Sequence, residues 1–101
     1  MITIKVKDLK SFKEKALGLL FSKKTSPVFI QTRFGIHTFC LLFPIDVLVL
    51  SDLDIVVRVK KLKQNRIFLW NPKFKKIIEL PAGEIERKKI KIGDKIKLEK
   101  H

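Results

Sequence analysis

Pro44-Ile45-Asp46-Val47-Leu48-Val49-Leu50, then Ser51-Asp52-Leu53-Asp54, then Ile55-Val56-Val57-Arg58-Val59-Lys60-Lys61: this run decides the fold. Its first part is β-branched and almost wholly apolar, and a proline is placed where it can open a strand without breaking one. It reads as a strand buried on both faces. The middle part has turn chemistry. The last part alternates, setting Ile55, Val57 and Val59 against Val56, Arg58 and Lys60, so the two strands are expected to pair as an antiparallel hairpin.

Working outward, residues 2 to 7 alternate with Ile2, Ile4 and Val6 on one face, which predicts a strand with one wet side on an antiparallel edge. Asp8 to Phe21 carries Phe12, Ala16, Leu19 and Leu20 at helical spacing, with Asp8 or Ser11 as N-cap, and predicts a short amphipathic helix. Ser22 to Pro27 reads as a loop, and Val28 to Phe34 as a strand broken by Gly35. Beyond the hairpin, Lys75 to Leu80 predicts a strand, Pro81-Ala82-Gly83 a turn, and Glu84 to Lys89 about one turn of helix. Ile92-Gly93-Asp94 then predicts a tight turn before a last strand at Lys95 to Lys100. No repeat, linker or low-complexity tract divides the chain, and 101 residues with 46% hydrophobic content suffice for one core. The expectation is a single domain over residues 1–101, mainly β (α+β). Its economical form is a small, barrel-like curled sheet of about six strands with one or two short helices.

Several function classes are disfavoured. Cys40 is the single cysteine, so no internal disulfide is possible, and a thiolate zinc site would have to be completed by the two histidines and carboxylates. No metal and no cofactor is expected. The first ten residues alternate apolar and charged where a secretion signal needs an unbroken apolar stretch, and the longest apolar run, Phe39-Cys40-Leu41-Leu42-Phe43, is too short to span a bilayer. A soluble, cytoplasmic protein with no membrane partner is expected. There is no phosphate-cradling glycine loop, no G-x-S-x-G elbow and no H-E-x-x-H pair, which weighs against an enzyme.

The formal charge is +13, which favours a polyanionic partner. Only Arg33, Arg58, Arg66 and Arg87 of the 23 basic residues are arginine, and the arginine fork is what bidentate base and phosphate readout uses. A lysine excess fits weak, nonspecific attraction. Lysine and isoleucine richness also arises from an AT-rich genome or high-temperature life, in which case the charge is a solvated surface. Locally, Ile55 to Ile78 holds eight basic residues and no acidic one, and Phe68, Trp70 and Phe74 lie among them. Arg58, Lys60, Lys61, Lys63, Arg66, Phe68, Trp70, Lys73, Lys75 and Lys76 are therefore a candidate single-strand nucleic-acid surface over residues 58–76. The alternative is that Phe68 and Trp70 pack inward while the lysines cover the solvent side.

Three motifs follow in order: His37-Thr38-Phe39 running to Phe43-Pro44-Ile45-Asp46, then Glu79-Leu80-Pro81-Ala82-Gly83, then Ile92-Gly93-Asp94. Together they resemble the family known as domain of unknown function 192, and Gly18-Leu19-Leu20-Phe21 looks like an earlier segment of it. The resemblance covers nearly the whole chain. Two places depart from the family's pattern: Cys40-Leu41-Leu42 stands where a small or methionine-rich, sometimes basic, stretch is usual, and Ala16-Leu17 stands near where arginine commonly precedes the glycine. The resemblance implies a compact, largely β fold and no known reaction.

The polar residues inside these motifs, His37, Thr38, Asp46 and Glu79, are the candidate ligand site, with Trp70 as a flat surface beside it. A histidine close to two carboxylates would serve a general base or a hydrolytic metal, provided the three converge. The structural alternatives are that Asp46 bonds backbone amides and Glu79 closes a turn or pairs with a lysine. A binding or accessory module for an unidentified ligand or partner is the preferred expectation. Nonspecific nucleic-acid binding and a hydrolase using His37 with Asp46 or Glu79 stand as alternatives. Edge strands would permit a monomer or a weak dimer.

Overall fold

The computed structural model describes residues 1–9, 27–31, 36–37, 44–63 and 66–100. Its centre is the hairpin read from the sequence: β4 (Ile45–Leu50) pairs antiparallel with β5 (Val56–Leu62). On its other side β4 pairs antiparallel with β7 (Lys76–Pro81), and β7 with β2 (Val28–Gln31). Every residue of β4 is buried, as a strand covered on both faces requires.

β1 (Ile2–Leu9) departs from expectation in two ways. It lies inside the sheet rather than on an edge, between β2 and β8 (Ile96–Lys100), and it is parallel to both. Alternation fixes which side of a strand is wet but not which neighbour it takes, and parallel partners come from distant sequence. β1 also runs on through Asp8 and Leu9, so Asp8 is a strand residue rather than a helix cap. The rest of the expected helix, Gly35, Thr38 and Cys40 lie outside the described residues, as does the end of the strand expected to reach Phe34.

The resulting sheet has six strands in the order β5-β4-β7-β2-β1-β8. It curls until its first and last strands touch at one corner, through an antiparallel bridge between Ile55 and Lys95. Hydrogen bonds from Val56 N to Asp94 O (2.8 Å), Gly93 N to Val56 O (2.8 Å) and Ile96 N to Asp54 O (2.9 Å) hold that corner. The fold is mainly β, but the sheet does not close into a barrel. Gly93, at φ 98°, makes the turn that presents its amide there, and Asp94 Oδ2 accepts from Lys91 N at 2.9 Å. A two-stranded ribbon, β3 (Ile36–His37) with β6 (Ile67–Phe68), pairs separately.

Register places two apolar layers back to back. Val59, Leu48, Ile78 and Phe29 form one transverse row on the concave face, where Ile4, Val6, Ile85, Ile90 and Ile96 join them. Arg58, Val49, Ile77 and Ile30 form a row on the opposite face, and there Phe68 and Trp70 join Val47 and Ile77 in one apolar layer. Strict alternation along β5 fails at a bulge between Val49 and Leu50 that leaves Val57 without an opposite residue. Val56 and Val59 consequently share the concave layer and Val57 packs on the other, which corrects the grouping read from the sequence.

The Glu79-Leu80-Pro81-Ala82-Gly83 segment ends β7 and leads into α1 (Glu84–Arg87) through Gly83 at φ 93°. No side chain of the helix itself caps its first turn. Asp46, opposite Leu80 on β4, does so from across the sheet: its Oδ2 accepts from Gly83 N and Ile85 N, each at 3.0 Å. One buried carboxylate thus joins the central hairpin to the turn and helix, and Ile85 is thereby seated in the concave layer. Asp46→Ala would strand two amides and is expected to lower stability by about 3 kcal/mol, with Asp46→Asn costing less because an acceptor remains. Urea denaturation of the two variants measures both.

Candidate functional site

Asp46 and Glu79 stand on adjacent strands but face away from each other. Asp46 shares the concave side with Leu80, whereas Glu79 lies in the row Lys60, Val47, Glu79, Val28 on the opposite face. The two carboxylates therefore do not converge. His37 lies in the β3–β6 ribbon, opposite Ile67. Because Phe68 of that ribbon packs on the layer containing Val47 and Ile77, the ribbon covers the face from which Glu79 projects. Thr38 lies outside the described residues.

Glu79 is only 3% exposed. Its row neighbours on β2 and β4 are the buried Val28 and Val47, and Ile77 lies two residues along β7 on the same face. Among the described residues its Oε2 has no hydrogen-bond partner and no ion pair reaches it. Burial pushes its carboxyl up from 4.5 to about 8, so near neutral pH the side chain is mostly the uncharged acid. A neutral carboxyl carries both a donor and an acceptor, and one unmet buried polar atom costs about 1–3 kcal/mol.

In the basic segment, Phe68 and Trp70 are buried, with ring centroids 5.5 Å apart, and Trp70 Nε1 donates to Phe74 O at 2.8 Å. Neither ring offers an open stacking face. Arg58 lies 4.9 Å over the Phe68 ring and donates to Leu69 O at 3.4 Å. Lys73 lies 6.0 Å from the Phe74 ring. Lys61 is bound by Glu86 and Lys76 by Asp54, while Lys60, Lys63 and Arg66 are exposed and Lys75 half-buried. Basic groups thus coat the surface around two aromatics that belong to the core.

A feature that sequence reasoning missed lies at the end of the curled sheet where β7 begins. A groove of about 620 Å³ is lined there by Phe29, Asp54, Lys76, Lys95, Lys97 and Leu98, among others. These residues come from β2, the β4–β5 turn, β7 and the β8 segment, so no linear spacing signals them. Among the described residues no group of three or more His, Cys, Asp or Glu side chains could hold a metal ion, and no helix is long and apolar enough to cross a membrane.

Residues 2–98 match the profile of the family DUF192, described as Uncharacterized ACR. The chain belongs to that family. It is 43% identical over 93 residues to UPF0127 protein PH1112 of Pyrococcus horikoshii, a match spanning 86% of this chain and 81% of that one. Among solved structures it is similar to a candidate transcription regulator (R01717) from Sinorhizobium meliloti 1021, with a TM-score of 0.72 and 13% identity over 89% of this chain and 78% of that one. A protein of unknown function from Novosphingobium aromaticivorans DSM 12444 gives a TM-score of 0.66 and 16% identity over 87% and 70%. At such identities the two structures establish a shared fold only.

Two predictions follow from this DUF192 member's geometry. The folded protein holds the Glu79 proton at pH values where the unfolded chain has lost it, so stability falls as pH rises between about 4.5 and 8. The slope attributable to this group approaches about 1.4 kcal/mol per pH unit, and Glu79→Gln should abolish that component in urea titrations across this range. Second, Trp70 fluorescence should already be that of a buried indole and should stay unquenched when single-stranded oligonucleotides bind. Quenching at physiological salt would show that Trp70 leaves the core to stack.

Proposed function

We propose that this domain is a binding module for a small, partly apolar ligand, and that Glu79 is its polar contact. The observation that carries this is the buried Oε2 of Glu79, which has no partner among the described residues and lies among valines and isoleucine. A polar group left unmet in a core opposes folding, and Leu would fill the same space without that cost. A ligand supplying the missing hydrogen bond gives the residue a reason to be there. The β3–β6 ribbon, whose Phe68 belongs to the same apolar layer, covers the face from which Glu79 projects, while His37 pairs with the exposed Ile67 and Asp46 is left to its amides. The back-to-back carboxylates weigh against a hydrolase built on both, since paired acid–base work needs them on one side.

The test is a thermal-shift panel of small carboxylic acids, amines and amides on wild type and Glu79→Leu at pH 8. Glu79→Leu alone should melt higher by about 5 °C or more, since an unmet buried polar group is removed. At least one compound class should raise the wild-type Tm and leave the variant unmoved. A Glu79→Leu protein less stable than wild type would mean that the carboxyl serves the fold, and the proposal would fail.

A further inference from the structure

β5 is an outer strand of the sheet, and among the described residues its only strand partner is β4. Which of its backbone groups face outward follows from the hairpin turn. Ser51 N donates to Ile55 O at 2.9 Å, so the backbone groups of Ser51 point toward β5. These groups alternate along a strand, which turns those of Val49 and Val47 the same way, onto Arg58 and Lys60 opposite them. β4 carries no extra residue, so the bulge in β5 leaves this phase undisturbed. Val59 and Lys61 therefore aim both N–H and C=O away from β4. Val56 agrees with that phase, since its N–H and C=O are taken on the outer side by Asp94 O and Gly93 N. Beyond Val56, no hydrogen bond among the described residues reaches the Val59 or Lys61 amide. Arg58 and Lys60 stand exposed on one face of this edge, and neither is ion-paired with a carboxylate among the described residues. Half-buried Val59 lies between them on the other face.

We propose that the outer edge of β5 takes up an extended segment of an acidic partner protein, with an apolar residue opposite Val59 and acidic residues opposite Arg58 and Lys60. The segment's backbone bonds the outward N–H and C=O of Val59 and Lys61, and its side chains alternate to match the strand. Charge decides which strand fits. A second copy of β5 is a poor partner, because pairing the strand with itself sets the cations of one copy against those of the other. The same cations attract an acidic strand. Single-stranded nucleic acid would call for open aromatic faces, and Phe68 and Trp70 are buried. The binding groups lie at the strand edge and none of them is Glu79, so this surface stands or falls apart from the small-ligand reading.

Amide hydrogen exchange followed by NMR at physiological ionic strength tests it, with the end-blocked peptide Thr-Glu-Val-Glu-Thr as probe. In the free protein the Val59 and Lys61 amides should exchange faster than those of Arg58 and Lys60. With peptide at about ten times its Kd, both should slow about tenfold. Thr-Gln-Val-Gln-Thr lacks the charges and Thr-Glu-Pro-Glu-Thr lacks the central N–H, and each should bind at least about fivefold more weakly. Lys61→Pro removes an outward N–H at an exposed site. It should bind the probe at least about fivefold more weakly than Lys61→Gln, which loses the same charge and keeps the amide. Glu79→Leu should leave binding unchanged. Equal binding of the proline peptide, or equal binding by the two Lys61 variants, would reduce the edge to diffuse charge. Equal binding of the glutamine peptide would remove the charge match, and protection of Leu98 on β8 in place of Val59 and Lys61 would put the strand on the other edge. Each of these results would overturn the proposal.

Discussion

The constraint on which the structure depends is that the central strands β4 and β7 are covered on both faces. Water does not reach them, so a polar side chain there must find its partners within the chain or go without. Two carboxyl groups occupy these strands, Asp46 and Glu79, and they meet the constraint in opposite ways. Asp46 accepts two amides and thereby ties the hairpin to the Gly83 turn and α1. Glu79 has an oxygen with no partner among the described residues, and its carboxyl is pushed toward the neutral form. Both sit next to apolar rows of similar composition, so the difference lies in what stands opposite them rather than in burial.

Much of this was legible in the sequence because the signals were local. β-branched residues after Pro44, the Ser51 to Asp54 turn and the alternation beyond it specified the β4–β5 hairpin. Glycine after Pro81-Ala82 and at Gly93 specified turns that need positive φ. What escaped was set by tertiary pairing. The parallel neighbours of β1 lie about twenty and ninety residues away, and the strand's own pattern is the same whichever it pairs with. The bulge at Val57 shows only where two strands are laid side by side. The β3–β6 ribbon has strands of two residues, too short for any periodicity to register.

The candidate site was legible residue by residue but not as an arrangement. Glu79 and Asp46 could be named as polar residues in apolar surroundings, yet which face each takes follows from the register Asp46 to Leu80 and Val47 to Glu79. One residue's slip would have put both carboxylates on the same face and made a pair of them. The aromatic residues of the basic segment follow the same logic. Phe68 and Trp70 alternate with exposed Ile67 and Leu69, and packing against Val47 and Ile77 determines that the rings, not the aliphatics, face inward.

The charge of +13 is best understood by asking how much of it the chain can neutralise. Ten acidic residues cannot pair 23 basic ones, even if every carboxylate took a separate partner, so no ion-pair network balances this surface. Two of those carboxylates are withdrawn into the core, which leaves still fewer for the surface. The excess therefore creates a field that attracts any anion at low salt and decays within about 8 Å at physiological ionic strength. Selectivity has to come from geometry at shorter range than that. At the concave end of the sheet such geometry is already used within the chain: Lys76 is fixed there by two acceptors, Asp54 Oδ1 and Asp52 O.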